Sequence, residues 1–417
     1  MAALAGSETV SSLNGLFKEV YGDEIKDLIP NAMKVQQMVP FVPKQKQIGN
    51  KYHQPVILAY PSGFTHALGD GTAGAFSLNA ASASTLKDAQ IQGAQILLRE
   101  YLDYESAARS AASRNAFIDG TALLFEMMQK AHRKRLEIQL LHGGVDIGVL
   151  TAATTGAGGN VTVSAASWAD AIWAGSEGTV VDVYDTTLAT NRGSFTINSV
   201  SIGTRVLTAT GGSSVPAGTV STDRLFFTGA KGNEMSGIHA ILANSGSLFN
   251  VDASVYSMWL STTYSAGSAA MTFNKVKAAI AQAVGRGLDE DAVLLMNPKT
   301  WDNVLSDLAA LRRFVEKQGK GTSYEIGSEN IVFYSQNGKI ELKPHIFCKE
   351  GFAYLIVPEH WKRLGATDVT FETPSYGGQI FTQLASNAGF EVRSYCHEAI
   401  FCEKPARQVL INNIVNV

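Results

Sequence analysis

The sequence predicts an α+β protein carrying a separate, small β-barrel or β-sandwich inserted between helix-containing segments. Three observations lead there. The stretch RNAFIDGTALLFEMMQKAHRKRLEIQLLHGG, from Arg114 to Gly144, has apolar residues at helical spacing. Residues 150–235 instead show short alternating segments at roughly ten-residue intervals, the pattern of strands and tight turns. From residue 237 onward, apolar strand-like runs alternate with capped helical patterns.

The elements follow in order. Residues 1–50 read as an arm. Helix-like spacing around Leu13, Leu16, Phe17 and Val20 is followed by Ile29-Pro30 and Val39-Pro40-Phe41-Val42-Pro43. A residue before proline is pushed out of the helical region, so this part should be extended. It has no core of its own and must bury its hydrophobes on something else. YHQPVILAY (52–60) reads as a strand. About 35 residues rich in Gly, Ala, Ser and Thr come next, and the chain becomes strand-like again at ILLREYLDYE (96–105). Loops longer than about 15 residues are usually functional or disordered. This one carries Phe64, Leu68, Phe76 and Leu78, which a mere linker would not need.

The helix should be capped by Ser113 or Asn115 and stopped at Gly143-Gly144. Its roughly 28 residues make a rod of about 42 Å. Phe117, Leu124, Met128, Ala131, Arg135, Ile138 and Leu141-His142 fall near one face, as on an amphipathic helix laid across something flat. In 150–235, GTVVDVY, RGSFTINSVSI, RVLTATGG and DRLFFTGA read as strands, with a hairpin turn at residues 202–205. Beyond 237, Thr272 should cap a helix that Gly285-Arg286-Gly287 stops. Residues 292–296 read as a buried strand, and Asn297-Pro298 starts a second helix bearing Trp301, Val304, Leu305, Leu308 and Leu311. Strands are expected at 330–334, 339–348, 352–357, 379–385 and 389–402, with a last one in RQVLINNI.

Composition excludes several classes. The chain has 417 residues, 45% of them hydrophobic and 17% charged, enough for a large core. Its formal net charge of −3 lacks the basic excess of a dedicated nucleic-acid binder. No secretory signal or membrane-spanning run stands out. Three cysteines, Cys348, Cys396 and Cys402, argue against a disulfide framework and for a reducing compartment.

No catalytic, cofactor or metal site emerges. His132-Arg133-Lys134-Arg135 covers all sides of a helix, so a solvated face with intersubunit salt bridges fits better than a phosphate-binding stripe. His132 and His142, ten residues apart, lie about 15 Å apart along a helix and cannot share a metal. His345, Cys348, Cys396, His397 and Cys402 lack a C-x-x-C pair and read as buried structural residues. Gly69-Asp70-Gly71-Thr72-Ala73-Gly74 lacks the Lys-Ser/Thr ending of a phosphate loop, and Asp289-Glu290-Asp291 reads as a solvated turn. There is no G-x-S-x-G elbow and no H-E-x-x-H.

The order of these parts, with VLLMNPKTWDNVLSDL and the closing GFEVRSYCHEAIFCEKPARQVLINNI, resembles the major capsid protein of tailed bacteriophages, the Hong Kong 97-type fold. GKIELKPHIFCKEGFAYLIVPEHWKRLG looks like that family's strand pair followed by a helix. The resemblance implies an N-terminal arm (1–50), an extended loop overlapping an adjacent subunit (51–105), and a spine helix of a peripheral domain (106–149). It further implies an inserted β domain (150–236), an axial domain (237–375) and peripheral-domain strands with the C-terminus (376–417). Phe41, Tyr60, Phe64, Leu68, Phe76 and Leu78 become expected intersubunit contacts.

The resemblance also implies partners. They are other copies in hexamers and pentamers, a portal, decoration proteins, and packaged double-stranded DNA held by weak non-specific contact. Met1 directly precedes the arm, so a separate scaffolding protein is expected. The location would be the virion, after assembly in the host bacterial cytoplasm, with no membrane contact, no cofactor and no catalysis. Two alternatives stand beside it: an encapsulin-type compartment shell, a family whose members lack a large β insertion, and a non-viral enzyme or adhesin.

Overall fold

The computed structural model describes residues 27, 29–42, 51–68, 75–105, 120–307, 331–335, 338–372, 380–384 and 388–416. Leu13, Leu16, Phe17, Val20, the capping candidates Ser113 and Asn115, Phe117, the glycine-rich 69–74, and Leu308 and Leu311 lie outside them.

Two sheets organise the chain around the long helix. The first has six strands in the order Thr262–Ala269, Val409–Ile414, Ala353–Ile356, Ala292–Met296, Gly338–Pro344, Ile331–Ser335. Its central strand, AVLLM, is buried at every position. A strand covered on both faces needs such an uninterrupted apolar run. Val293 and Leu295 face the main core, while Ala292, Leu294 and Met296 face a second core under the helices Phe273–Val284 and Pro298–Leu305. Both helices begin as the sequence predicts. The Thr272 hydroxyl accepts from the Lys275 N–H, and the Asn297 side chain accepts from the Lys299 N–H with Pro298 following.

The second sheet is built on the 14-residue strand Gly389–Cys402. Ala94–Asp103 runs antiparallel along one edge, while Trp361–Thr370 and Phe381–Gln383 share the other. Trp361–Thr370 corrects the expectation of a helix after PEH. A single turn, Pro358–His360, is followed by a strand that pairs Trp361 with Cys402. The hydrogen-bonding edge of a long strand outweighed the local helical pattern. Thr262–Ala269, which the sequence did not suggest, adds a parallel strand beside Val409–Ile414.

The described part of the long helix is Gly120–His142. It is not simply amphipathic. Ala131, expected inward, is exposed, and every residue from Leu136 to Gly143 is buried. A helix covered on all sides lies inside a core rather than across a surface. Gly144, with φ +76°, ends it as a left-handed cap. The next layer then comes close: the Gly237 N–H donates to the Gly143 carbonyl at 2.9 Å. A Cβ on Gly237 would stand 2.6 Å from the Gln139 carbonyl oxygen, so only glycine fits.

Between these parts lies a closed six-stranded barrel, ordered Arg224–Phe227, Gly148–Thr154, Asn160–Val163, Val206–Ala209, Asn191–Ser201, Val180–Tyr184. It begins at Gly148, slightly before the expected 150. The turn at 202–205 is where the sequence puts it, with Arg205 at φ +57°. Val161, Val163, Val181, Val183, Phe195 and Leu207 are fully or nearly fully buried.

Candidate assembly surface

The expected long loop is partly a hairpin. Thr85–Ile91 pairs antiparallel with Tyr52–Ala59, placing Val56 opposite Lys87. TLKDAQI has too few apolar residues to announce a strand; its pairing with PVILA does so. Along Tyr52–Ala59 burial alternates, with His53, Pro55, Ile57 and Ala59 exposed. The hairpin is anchored at its base. Ala89 and Ile91 are buried, the Gln90 N–H donates to the Phe249 carbonyl at 2.9 Å, and Asn250 Nδ2 donates to the Asp88 carbonyl at 3.2 Å. Phe249 and Asn250 both have positive φ, as a two-residue mirror-image turn requires.

Beyond the ladder, limbs 60–68 and 75–84 continue without strand pairing. Asn79 crosslinks them: its N–H donates to Thr65 Oγ1 and its Nδ2 to the Phe64 carbonyl, both at 2.7 Å. Tyr60, Phe64, Leu68 and Leu78 are 82%, 72%, 75% and 79% exposed, and Phe76 is 52% exposed. Single exposed hydrophobes are ordinary, but such a series on one projecting segment marks a contact surface. Phe41 is placed differently. It is half-buried, bridged to Arg363, and its ring lies 5.7 Å from that guanidinium within the same chain. The sequence reading missed Ile57, Leu86, Leu97 and Tyr101, which are also exposed. The signal was there in PVILA: a two-stranded ribbon cannot cover both faces of an apolar strand.

The arm reaches the core through one carboxylate. Glu137, fully buried on the long helix, accepts from the Val35 N–H at 2.6 Å and the Gln36 N–H at 3.1 Å. These are first-turn donors of the helix Lys34–Met38, whose own N-cap residue, Met33, offers no side-chain bond. Glu137 also accepts from His345 Nε2 at 2.9 Å. The Phe347 N–H donates to His345 Nδ1, which leaves the ring proton on Nε2 facing Glu137. Arm, long helix and six-stranded sheet thus meet at one hydrogen-bonded point.

The basic run corrects another expectation. It is not a solvated face. His132 is 1% exposed, Lys134 Nζ donates to the Ala174 carbonyl at 3.0 Å, and Arg135 stacks on the Phe227 ring with its centre 3.2 Å from the centroid. The Arg133 carbonyl accepts from Gln36 Nε2 at 2.9 Å. These side chains clamp the helix to its own arm and barrel. The solvated pairs lie one turn earlier, at Lys130 with Glu126 and Asp27.

One cluster has the residue types of a nucleophilic site. His132 lies between Ser394 Oγ, 2.8 Å from Nδ1, and Cys396 Sγ, 3.2 Å from Nε2. Burial pushes the Cys396 thiol up to about 12 and the His132 imidazole down to about 4. Both are neutral near pH 7. Nucleophilic attack needs a thiolate that substrate can reach. This cluster, buried and uncharged, provides packing and hydrogen bonds instead. Cys348 and Cys402 are also buried free thiols raised by burial. His397 Nδ1 accepts from the Ala366 N–H at 3.1 Å. Among the described residues, no group of three His, Cys, Asp or Glu side chains is arranged to hold a metal.

The geometry defines a subunit with a consolidated interior and a projecting apolar loop. No model of a known protein family matches the sequence, and no curated protein matches it. Solved structures match in fold. The capsid asymmetric unit of cyanophage A-1(L) superposes with a TM-score of 0.59 at 11% identity, over 98% of this chain and 99% of that one. The capsid of a native GTA particle superposes with a TM-score of 0.52 at 8% identity, over 99% and 100%. An encapsulin complex from Synechococcus elongatus gives a TM-score of 0.47 at 9% identity, too distant to separate the two kinds of shell. The chain therefore has the fold of phage capsid subunits.

Proposed function

We propose that this chain is the major capsid protein of a tailed bacteriophage, assembling as hexamers and pentamers into an icosahedral head around double-stranded DNA. The observation that carries the reading is the end-to-end superposition on a cyanophage capsid subunit. The projecting loop supports it, because its apolar side chains gain cover only from another molecule. In this reading residues 1–50 are the arm, 51–105 the extended loop, 106–149 the spine helix, 237–375 the axial domain and 376–417 the closing peripheral strands. The barrel is an insertion in that plan, spanning 150–236. Tyr60, Phe64, Leu68, Phe76 and Leu78 contact a neighbouring subunit; Phe41 packs within its own chain and reaches a neighbour at most with its open edge.

A shell subunit needs several contacts, each of roughly 1,600 Å². Individually weak contacts become strong when a closed shell engages them together. A net charge of −3 suits weak, non-specific contact with packaged DNA. A separate scaffolding protein, a portal and decoration proteins complete the assembly, which takes place in the bacterial cytoplasm. Electron microscopy of the protein, made with and without a scaffolding protein, tests this. Closed shells of uniform diameter are expected; a discrete monomer or dimer under every condition would overturn it. Shells that fill with an enzyme rather than DNA would transfer the reading to an encapsulin-type compartment.

A further inference from the structure

A cleft of about 390 Å³ opens where strand Ala94–Asp103, the long helix and the barrel meet. Its walls include Leu97, Arg135, Gln139, Val180, Phe227 and Glu234. Leu97 and Val180 are 53% and 38% exposed, so one side is apolar and open. Arg135 makes no hydrogen bond or ion pair among the described residues, and its Nη1 is sealed from solvent without a partner. Burial pushes its guanidinium down to about 10, which still leaves it charged at neutral pH. Glu234 does not serve as its counter-ion: no ion pair forms between them, and Oε2 accepts from the Gly144 N–H at 3.3 Å. Gln139, 6% exposed, has an unpaired Oε1. A buried cation and a buried amide without partners are costly in a finished interior. They are expected where a partner has yet to arrive.

We propose that this cleft receives the extended loop of a second copy of the chain, with Asp70 of that loop supplying the carboxylate that Arg135 lacks. The inference rests on the shell-forming reading above and names where one contact falls. Charge and polarity select the occupant. Within residues 61–84 the sequence holds a single charged residue, Asp70, between Gly69 and Gly71. Phe64, Leu68, Phe76 and Leu78 on either side of it are exposed hydrophobes without cover. One carboxylate among apolar side chains complements one uncompensated guanidinium beside Leu97, Val180 and Phe227. An arginine–carboxylate pair in such a site is charge-assisted and geometrically specific.

A double-mutant cycle on assembly tests the pairing. Asp70→Asn and Arg135→Gln should each raise the critical concentration for shell formation about tenfold, and the double variant should raise it no further. Independent, multiplying effects, or an Asp70→Asn variant that assembles like the parent, would overturn the pairing. Arg135→Gln also loses its stacking on Phe227, so a second measurement avoids that residue. Asp70→Cys and Asn233→Cys chains, purified separately and co-assembled, are treated with a bismaleimide of about 10 Å reach; the native thiols are buried. A crosslinked dimer formed only in the mixture supports the contact. A crosslink within one chain carrying both substitutions, with none between chains, places the loop in its own cleft and overturns the proposal. Shells without any crosslink overturn the contact alone, whereas a parent chain that never forms shells removes the capsid reading itself.

Discussion

From Leu136 to Gly143 the long helix has no exposed residue, while across limbs 60–68 and 75–84 only Thr65 is partly covered. Both segments are rich in large apolar side chains. In the helix even Glu137, Gln139 and His142 lie inside, among residues far away in the sequence. In the loop, Phe64 and Leu78 meet water. Apolar content alone therefore does not say whether a segment belongs to a core or to an interface. What separates the two is whether the chain itself brings a covering layer. The barrel, the arm and the six-stranded sheet converge on the helix end, and no described element covers the loop limbs.

The comparison sharpens first under acid. His132 and His239 are pushed down to about 4 and about 3, chiefly by burial, and His142 is held well below 6.5 for the same reason. These groups take up protons on unfolding, so the stability they carry is present above pH 6.5 and is lost as pH falls toward their folded values. Glu398 acts oppositely. Burial raises its carboxyl to about 7, so between pH 4.5 and 7 it holds a proton that the unfolded chain releases. The net slope between pH 4.5 and 6.5 should be about two protons, each worth about 1.4 kcal/mol per pH unit. Urea unfolding at stepped pH checks this, and Glu398→Gln should steepen the acid limb by about one proton. A flat profile would mean that these groups meet water and that the interior is less closed than the structure indicates.

Removing the Glu137 carboxylate breaks the interior at one point. Glu137→Ala leaves the Val35 and Gln36 N–H groups and His345 Nε2 without their acceptor. A loss of about 3–5 kcal/mol is expected in chemical denaturation. Faster hydrogen exchange should concentrate in Lys34–Met38, because that helix has no other side-chain cap.

Phe64→Ser and Leu78→Ser probe the other side of the comparison. Unfolding stability of the isolated subunit should change by no more than about 0.5 kcal/mol, since neither side chain is covered. If each is buried on assembly, it contributes about 1.5–3 kcal/mol there, and the critical concentration should rise about 10- to 100-fold. Light scattering against concentration measures it. A large loss of subunit stability instead would show that the loop folds back on its own chain.

Local chemistry accounts for what was legible in the sequence. Thr272, Asn297-Pro298 and Gly143-Gly144 mark helix ends because capping depends on a few neighbouring atoms. The turn at 202–205 and the alternation in 191–209 announce barrel strands in the same way. The exposed hydrophobes of the loop could be named because a Gly- and Ser-rich segment offers them no periodic face. What was misread depends on distant residues. Thr85–Ile91 is a strand because Tyr52–Ala59 lies beside it, and Trp361–Thr370 is one because Gly389–Cys402 offers an edge. The basic run looked solvated because nothing in HRKR reveals Ser394, Ala174 or Phe227.

The sequence by itself determined the α+β class, the long helix and its stop, the strand-rich middle, the caps of the later helices and the surplus of apolar side chains in the loop. Each of these follows from interactions spanning a few residues. The tertiary structure decided which charges are buried, that Glu137 holds the arm, that the barrel closes, and that Arg135 stands in a cleft without a counter-ion. Those outcomes rest on contacts between segments up to hundreds of residues apart, and burial, which sets the energy of a charge or a hydrogen bond, exists only once those segments have packed.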